Sequence, residues 1–272
     1  MDLIFFDLDG TLLNASSEIS PFTRETLGLL RDKDIAYTVA TGRSLLSAKK
    51  IVEGHFFELP HIYNNGVTIW DPAKQALSFD NLLEHSEIED VVNSALRHGI
   101  TPFVNTIENH QHFIYHSQVR HPIEKELIEK YFSRTDAKLL PLEALPRKSD
   151  VTNISMIGDN KKVASIWNEI NEHPHLIAYS GPAHEGRDNS WMDVHHRLAN
   201  KGSAVNNLKV DLGASNVICF GDGENDLSMF ELADECYAPD NAKPQVKSKA
   251  NAVIGHNHDD GIAHFLRERF SL

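Results

Sequence analysis

Cysteine is nearly absent from this chain: Cys219 and Cys236 are the two it has, and their spacing suits neither a disulfide framework nor a thiolate metal site. Both stand in apolar surroundings and read as buried thiols, which fits a reducing cytoplasm. Positive charge is also short. Against 39 Asp and Glu there are 26 Lys and Arg, for a net charge of −13. That balance excludes the broad basic face that nucleic acid or an anionic membrane surface requires, and it admits a small anionic substrate only where a local cation meets it. Long apolar runs are missing as well. The opening run, Leu3 to Phe6, is four residues long, lacks a basic flank and ends in aspartates. It is therefore neither a secretion signal nor a membrane span, which takes roughly 20 apolar residues. The expectation is a cytoplasmic chain that begins at or near Met1 and is a monomer or small homo-oligomer.

What is present is ordinary globular material, with 41% hydrophobic residues in a chain of 272, enough for one large domain or two modest ones. The first 70 residues alternate short apolar runs with helix-patterned segments: "LIFF", "PFTRETLGLLRDKD", "AYTVAT", "SLLSAKKIVEGHF" and "HIYNNGVTIWD". This βαβαβ order is that of a parallel sheet covered by helices. The last 75 or so residues repeat the rhythm, from the helix "KGSAVNNLKVDLG" and the strand "NVICF" to the closing helix "GIAHFLRERF". The middle differs, because "TPFVNTI" and "HQHFIYHS", and later "LIAYS" and "SWMDVHH", are consecutive strands, which implies antiparallel pairing. The fold class expected is α/β: a doubly wound, Rossmann-like parallel-sheet core over 1–80 and 197–272, with a second α/β domain, 81–196, inserted as a cap.

In a parallel sheet the ligand sits beyond the carboxyl ends of the strands. There the sequence reads Asp7-Leu8-Asp9-Gly10-Thr11 after the first strand, Thr41-Gly42-Arg43 after the second, and Gly221-Asp222-Gly223-Glu224-Asn225-Asp226 after "NVICF", with Lys201-Gly202 opening the helix before it. "DLDGT", "TGR", "KG" and "GDGEND", in this order, resemble the four motifs of the haloacid dehalogenase superfamily of phosphohydrolases. The large α/β insertion between the second and third motifs, and the tail "NAKPQVKSKANAVIGHNHDDGIAHFL", resemble its Cof-type sugar-phosphatase branch, so the likeness covers almost the whole chain.

The residues support such chemistry in their own right. A carboxylate such as Asp7 can attack a phosphate ester and form an acyl phosphate that water then hydrolyses. Asp9, two residues on, faces the same side of an extended chain and could protonate the leaving alkoxide and later activate water. Two adjacent carboxylates compete for charge, which favours a division into nucleophile and acid. Mg²⁺ wants hard oxygen ligands, and Asp7, the main-chain carbonyl of Asp9 and Asp222 would supply them, with Asp226 a candidate outer ligand. Lys201 brings a positive charge to phosphate and nucleophile, while the Thr41 hydroxyl and the Gly42 amide can donate to phosphate oxygens. The resemblance further implies that Asn225 faces the phosphate and that Thr11 braces the nucleophile loop. A Mg²⁺-dependent phosphatase of a small phosphorylated metabolite, such as a sugar phosphate, is the expectation. A phosphomutase shares these motifs, and a catalytically idle binding module would have lost one of them.

Taken singly, each motif has a plainer reading: "DLDGT" as a strand-ending turn, "TGR" as a helix cap, Lys201 as a surface charge. The 16 histidines, His110 and His112 on one strand face among them, read as solvated or hydrogen-bonded rather than as ligands. Arg97, Arg120, Arg134, Arg147 and Arg187 in the insertion read as surface charges. The approach to Lys201 departs from the family pattern: His195 and His196 stand where small polar residues or proline are usual, and Asn200 stands where serine is.

Overall fold

Leu3, Ile4, Phe5 and Phe6 are fully buried, as a strand covered on both faces must be. The computed structural model describes residues 1–108, 111–183 and 186–272, with the backbone alone at Arg134, so His110 lies outside the described residues. Two compact units result, Met1–Ser78 joined with Asn200–Leu272, and Phe79–Ala199. The chain runs through β1 (Asp2–Phe6), α1 (Pro21–Asp32), β2 (Ala36–Val39), α2 (Leu45–Val52), β3 (His61–Tyr63), β4 (Thr68–Asp71) and β5 (Ala76–Phe79). The middle supplies α3 (His85–Arg97), β6 (Phe103–Glu108), β7 (Gln111–His116), α4 (Pro122–Lys130), β8 (Lys138–Pro141), β9 (Val151–Asp159), α5 (Asn160–Glu172), β10 (Leu176–Pro182) and β11 (Asn189–His196). It closes through α6 (Lys201–Asp211), β12 (Asn216–Phe220), α7 (Leu227–Phe230), β13 (Glu235–Pro239), α8 (Pro244–Lys247), β14 (Ala252–Ile254) and α9 (Gly261–Phe270). No helix among the described residues is long and apolar enough to cross a membrane.

The first unit is built on a parallel sheet of order β14-β13-β12-β1-β2. β1 therefore lies between β12 and β2, and the register pairs Phe6 with both Phe220 and Val39. The residues that follow these three strands consequently emerge on one edge of the sheet. α1 shows the helix logic of the covering layer: the Ser20 hydroxyl accepts the Thr23 amide at 3.0 Å, Pro21 opens the first turn, and Thr23, Thr26, Leu27 and Leu30 form the buried stripe. "HIYNNGVTIWD" is a hairpin, β3 and β4 antiparallel about Asn64, Asn65 and Gly66, which have φ of 49°, 53° and 108°. β3 is joined to the parallel sheet by an isolated parallel bridge between Ala40 and Ile62. "NDLSMFELA" contracts to the short α7 after a 3₁₀ turn at Glu224–Asp226.

The second unit holds a six-stranded sheet of order β10-β11-β9-β6-β7-β8, antiparallel except for β7 with β8. β8 escapes sequence reading because "KLLP" is four residues at a sheet edge, ended by proline. Its core gathers Val91 and Ala95 of α3, Val163, Ile166 and Ile170 of α5, and the facing strand residues Val104, Ile154 and Val194. Within β7, the Nε2 of His112 lies 3.2 Å from Asn105 Oδ1 while its buried Nδ1 has no hydrogen-bond partner, and burial lowers its pKa to about 4. The unfolded chain protonates this ring near pH 6.5 and the folded chain near 4, so its stability contribution is complete above about 6.5 and is lost as pH falls toward 4. His112→Gln is expected to flatten that part of the acid limb of urea-unfolding stability, by up to about 3 kcal/mol.

Candidate active site

The carboxyl edge of the parallel sheet carries every residue singled out in the four motifs. The Asp7 amide donates to Phe220 O at 3.0 Å and the Ala40 amide to Phe6 O at 2.8 Å, so backbone bonds fix the start of each loop. Asp7 is buried, 5% exposed, at the mouth of a turn over Leu8–Leu12. That turn needs Gly10, whose φ is +71° and where a Cβ would stand 2.4 Å from Asp222 Oδ2. The Gly10 carbonyl accepts from Asn241 at 2.6 Å. Gly10→Ala must both strain the turn and push Asp222 aside; we expect roughly 1–2 kcal/mol lost on urea unfolding, with kcat/KM falling at least as far as stability does.

Lys201 is the centre of the site. It opens α6, which Asn200 caps by accepting the Ser203 amide at 2.9 Å, and its side chain is wholly buried. Its Nζ donates to Asp7 Oδ1 at 2.5 Å and to Asp226 Oδ1 at 2.6 Å. Burial pulls the ammonium's pKa down, but Asp226 and Asp7 outweigh it, so the group is held above its ordinary value and stays charged. Asp226, itself fully buried, accepts the Asp222 and Gly223 amides at 2.9 Å on its other oxygen. Both its oxygens are thus taken by the protein, which leaves it bracing the loop and the lysine. Thr11 donates to Asp222 Oδ1 at 3.1 Å.

Negative charge is in excess here. Burial raises the pKa of Asp7 well above the usual carboxylate range despite Lys201, and burial with the repulsion of Asp226 raises that of Asp222 to about 6. Carboxylate oxygens of Asp7, Asp222 and Asp226, one from each, lie within 4.8 Å of one another. An all-oxygen set short of positive charge is the donor chemistry of a hard divalent cation.

Asp9 does not share the environment of Asp7. Its side chain is 54% exposed and is gripped by the Arg43 guanidinium, Nε to Oδ2 at 2.6 Å and a terminal nitrogen to Oδ1 at 2.5 Å. The expected contest between two adjacent carboxylates is resolved by sending one inward to a lysine and the other outward to an arginine. Thr41 is buried and its hydroxyl accepts the Arg43 amide at 3.1 Å, which leaves its own proton to donate. Beside Gly42, Asn225 Nδ2 donates to Asn65 Oδ1 at 2.9 Å. Sequence reasoning assigned no role to Arg43, Asn65 or Asn241. Arg43 was in view inside "TGR", and the positive φ of Asn65 was signalled by "NNG".

A buried lysine between two aspartates at the carboxyl edge of the parallel sheet makes a site in which a fixed cation meets clustered carboxylates. Residues 4–266 match the family model of haloacid dehalogenase-like hydrolases, and the chain belongs to that family. It is 27% identical to a pyridoxal phosphate phosphatase, YbhA, of Escherichia coli K12, over 97% of both chains. It is 25% identical to a 5-amino-6-(5-phospho-D-ribitylamino)uracil phosphatase, YwtE, of Bacillus subtilis, over 100% of this chain and 99% of the relative. Among solved structures, a haloacid dehalogenase-like hydrolase from Bacteroides thetaiotaomicron shares the fold with a TM-score of 0.78 at 23% identity, each chain covered to 99%. A subclass IIB sugar phosphatase of the same superfamily shares it with a TM-score of 0.76 at 20% identity, over 100% of this chain and 99% of that one. The family expected from the motif order is therefore the family found.

Proposed function

We propose that this phosphatase hydrolyses the phosphomonoester of a small phosphorylated metabolite through an aspartyl-phosphate intermediate on Asp7. The observation that carries the reading is the buried Lys201 ammonium, 2.5 Å from one oxygen of Asp7, which orients the carboxylate and keeps a cation where phosphate charge must be met. Asp7 forms a bond to phosphorus as the ester oxygen leaves, and Asp9 gives that oxygen its proton. Asp9 then takes a proton from water as the water oxygen bonds to phosphorus and the Asp7–phosphorus bond breaks, restoring Asp7 and freeing phosphate. The Thr41 hydroxyl, the Gly42 amide, Asn225 and Lys201 hold the phosphate oxygens. Arg43 donates to both oxygens of Asp9, and a phosphate that competed for that guanidinium would free Asp9 for proton transfer. Asp7, Asp222 and the main-chain carbonyl of Asp9 would hold Mg²⁺, with Asp226 supporting from outside the ligand set, and the ion when bound would neutralise phosphate charge.

Two of the similar proteins are named as phosphatases of pyridoxal phosphate and of 5-amino-6-(5-phospho-D-ribitylamino)uracil, and a third of the fold as a sugar phosphatase, which supports a small metabolite as substrate. The unit Phe79–Ala199 selects it in this reading. The two free, buried thiols suit a reducing cytoplasm. A screen of sugar, nucleotide and vitamin phosphates, scored for inorganic phosphate with and without Mg²⁺, is expected to give Mg²⁺-dependent release from at least one sugar phosphate or related metabolite. Formation of an isomeric ester without free phosphate would make the enzyme a mutase. No turnover of any ester would remove the proposal.

A further inference from the structure

We propose that the Phe79–Ala199 unit carries a second metal site, a His₂Glu centre for a borderline divalent ion such as Zn²⁺, formed by Glu87, His175 and His196. The site stands apart from the phosphatase chemistry and does not depend on it.

Glu87 lies in the first turn of α3 and is 2% exposed. Its Oε2 accepts the Glu84 amide at 2.8 Å, but its buried Oε1 has no hydrogen-bond partner. Glu124, the other buried glutamate among the described residues, shows what this fold does when a carboxylate is structural. Its oxygens accept the amides of Thr101, Arg120 and His121 and the Thr101 hydroxyl, all at 2.7–2.9 Å. An open, buried carboxylate oxygen costs stability unless a cation meets it.

Two imidazoles converge on that oxygen. His175, just before β10, places Nδ1 at 3.3 Å from Oε1, and His196, the last residue of β11, places Nε2 at 3.8 Å. Leu176 pairs with His196 in the β10–β11 ladder, so the two rings are held by adjacent strands. An imidazolium donating directly to a carboxylate would sit at roughly 2.7–2.9 Å. Tetrahedral Zn²⁺ with nitrogen and oxygen ligands at about 2.0–2.2 Å instead separates those ligand atoms by about 3.4 Å. The spacings of 3.3 and 3.8 Å fit the edges of such a centre better than a hydrogen bond, and all three donor atoms lie within 4.8 Å of one another. Two imidazoles with one carboxylate prefer a borderline ion to Mg²⁺. His175, with its side chain 63% exposed, gives the ion access, and water can complete the fourth position. His173 steadies the loop, its Nδ1 accepting the His175 amide at 3.2 Å. The His196 Nδ1 accepts the Leu198 amide at 3.3 Å, so metal at Nε2 shifts the ring proton to Nδ1 and gives up that long hydrogen bond. A bound ion would tie the start of α3 to the start of β10 and the end of β11.

Co²⁺ titration of the full chain in excess Mg²⁺ tests this, because a four-coordinate site containing nitrogen gives intense visible bands and a six-coordinate oxygen site gives weak ones. The wild type and Asp222→Asn are expected to develop the intense bands to one ion per chain, with Zn²⁺ displacing Co²⁺. His175→Ala, a substitution at an exposed side chain, and Glu87→Gln are expected to weaken binding by at least roughly tenfold. His175→Ala should keep its Mg²⁺-supported phosphatase activity and its circular dichroism. Bands that are absent from the wild type, persist in His175→Ala, or disappear only with Asp222→Asn would overturn the proposal.

Discussion

Replacing Asp7 with asparagine is expected to leave a folded protein whose phosphatase activity is lower by on the order of 10⁴–10⁶, the scale set by removal of a covalent nucleophile. The amide is nearly the same size as the carboxylate and its oxygen can still accept from Lys201, so the packing is unchanged. The charge is not. Asp7 is held above the usual carboxylate range by burial first, against the pull of Lys201 and with Asp226 and Asp222 adding to it, so its charged form is the costly one in this site. Taking one charge away should therefore keep the metal-free protein as stable as wild type or make it more so, by about 1–2 kcal/mol in urea unfolding. Loss of activity with stability retained assigns Asp7 to the chemistry. Activity retained within tenfold would remove it from the nucleophile role.

Lys201→Met should behave in the opposite way, losing fold and function together. Methionine fills much the same volume, but Asp7 and Asp226 are then left as neighbouring carboxylates in a site where Lys201 and Asp226 have no exposed side-chain surface. Breaking a buried pair by removing one partner costs roughly 3–5 kcal/mol, more than packing alone could explain. On top of that, kcat should fall by about 10²–10³ for loss of a cation aimed at the reacting phosphate. A double substitution separates the two effects. Lys201→Met with Asp226→Asn removes one of the stranded charges, so stability should recover in part while activity stays lost, with a coupling energy well outside additivity. Additive losses would show that Lys201 and Asp226 do not act as a unit.

Much of this was legible in the sequence because the chemistry follows the strands directly. Buried parallel strands read as apolar runs, and the polar residues just beyond Phe6, Ala40 and Phe220 must then meet on one edge once the strands align. The insertion was legible for the converse reason, that strand followed strand with no helix between. What could not be read were pairings between side chains far apart in the chain. Arg43 grips Asp9 across 34 residues, and Asn225 meets Asn65 across 160. Neither leaves a periodic mark in the sequence. The separate fates of Asp7 and Asp9 are of the same kind, since spacing of two places both on one side of an ideal strand, whereas β1 ends before them and the turn rotates Asp9 out to solvent. The shortened α7 shows local preference yielding to a turn built to deliver the Asp222 and Gly223 amides to Asp226.

The strand order also sets a timetable for synthesis. β1 needs β12 as a neighbour, yet Phe6 and Phe220 are 214 residues apart, and everything in Phe79–Ala199 is translated between them. The inserted unit is continuous in sequence and has its own apolar core, so it can fold on the ribosome as soon as it emerges. The N-terminal fragment meanwhile holds an apolar strand with one open edge, exposed to β-pairing with other nascent chains. Asp7 thus waits, without Lys201, until about three quarters of the protein has left the tunnel.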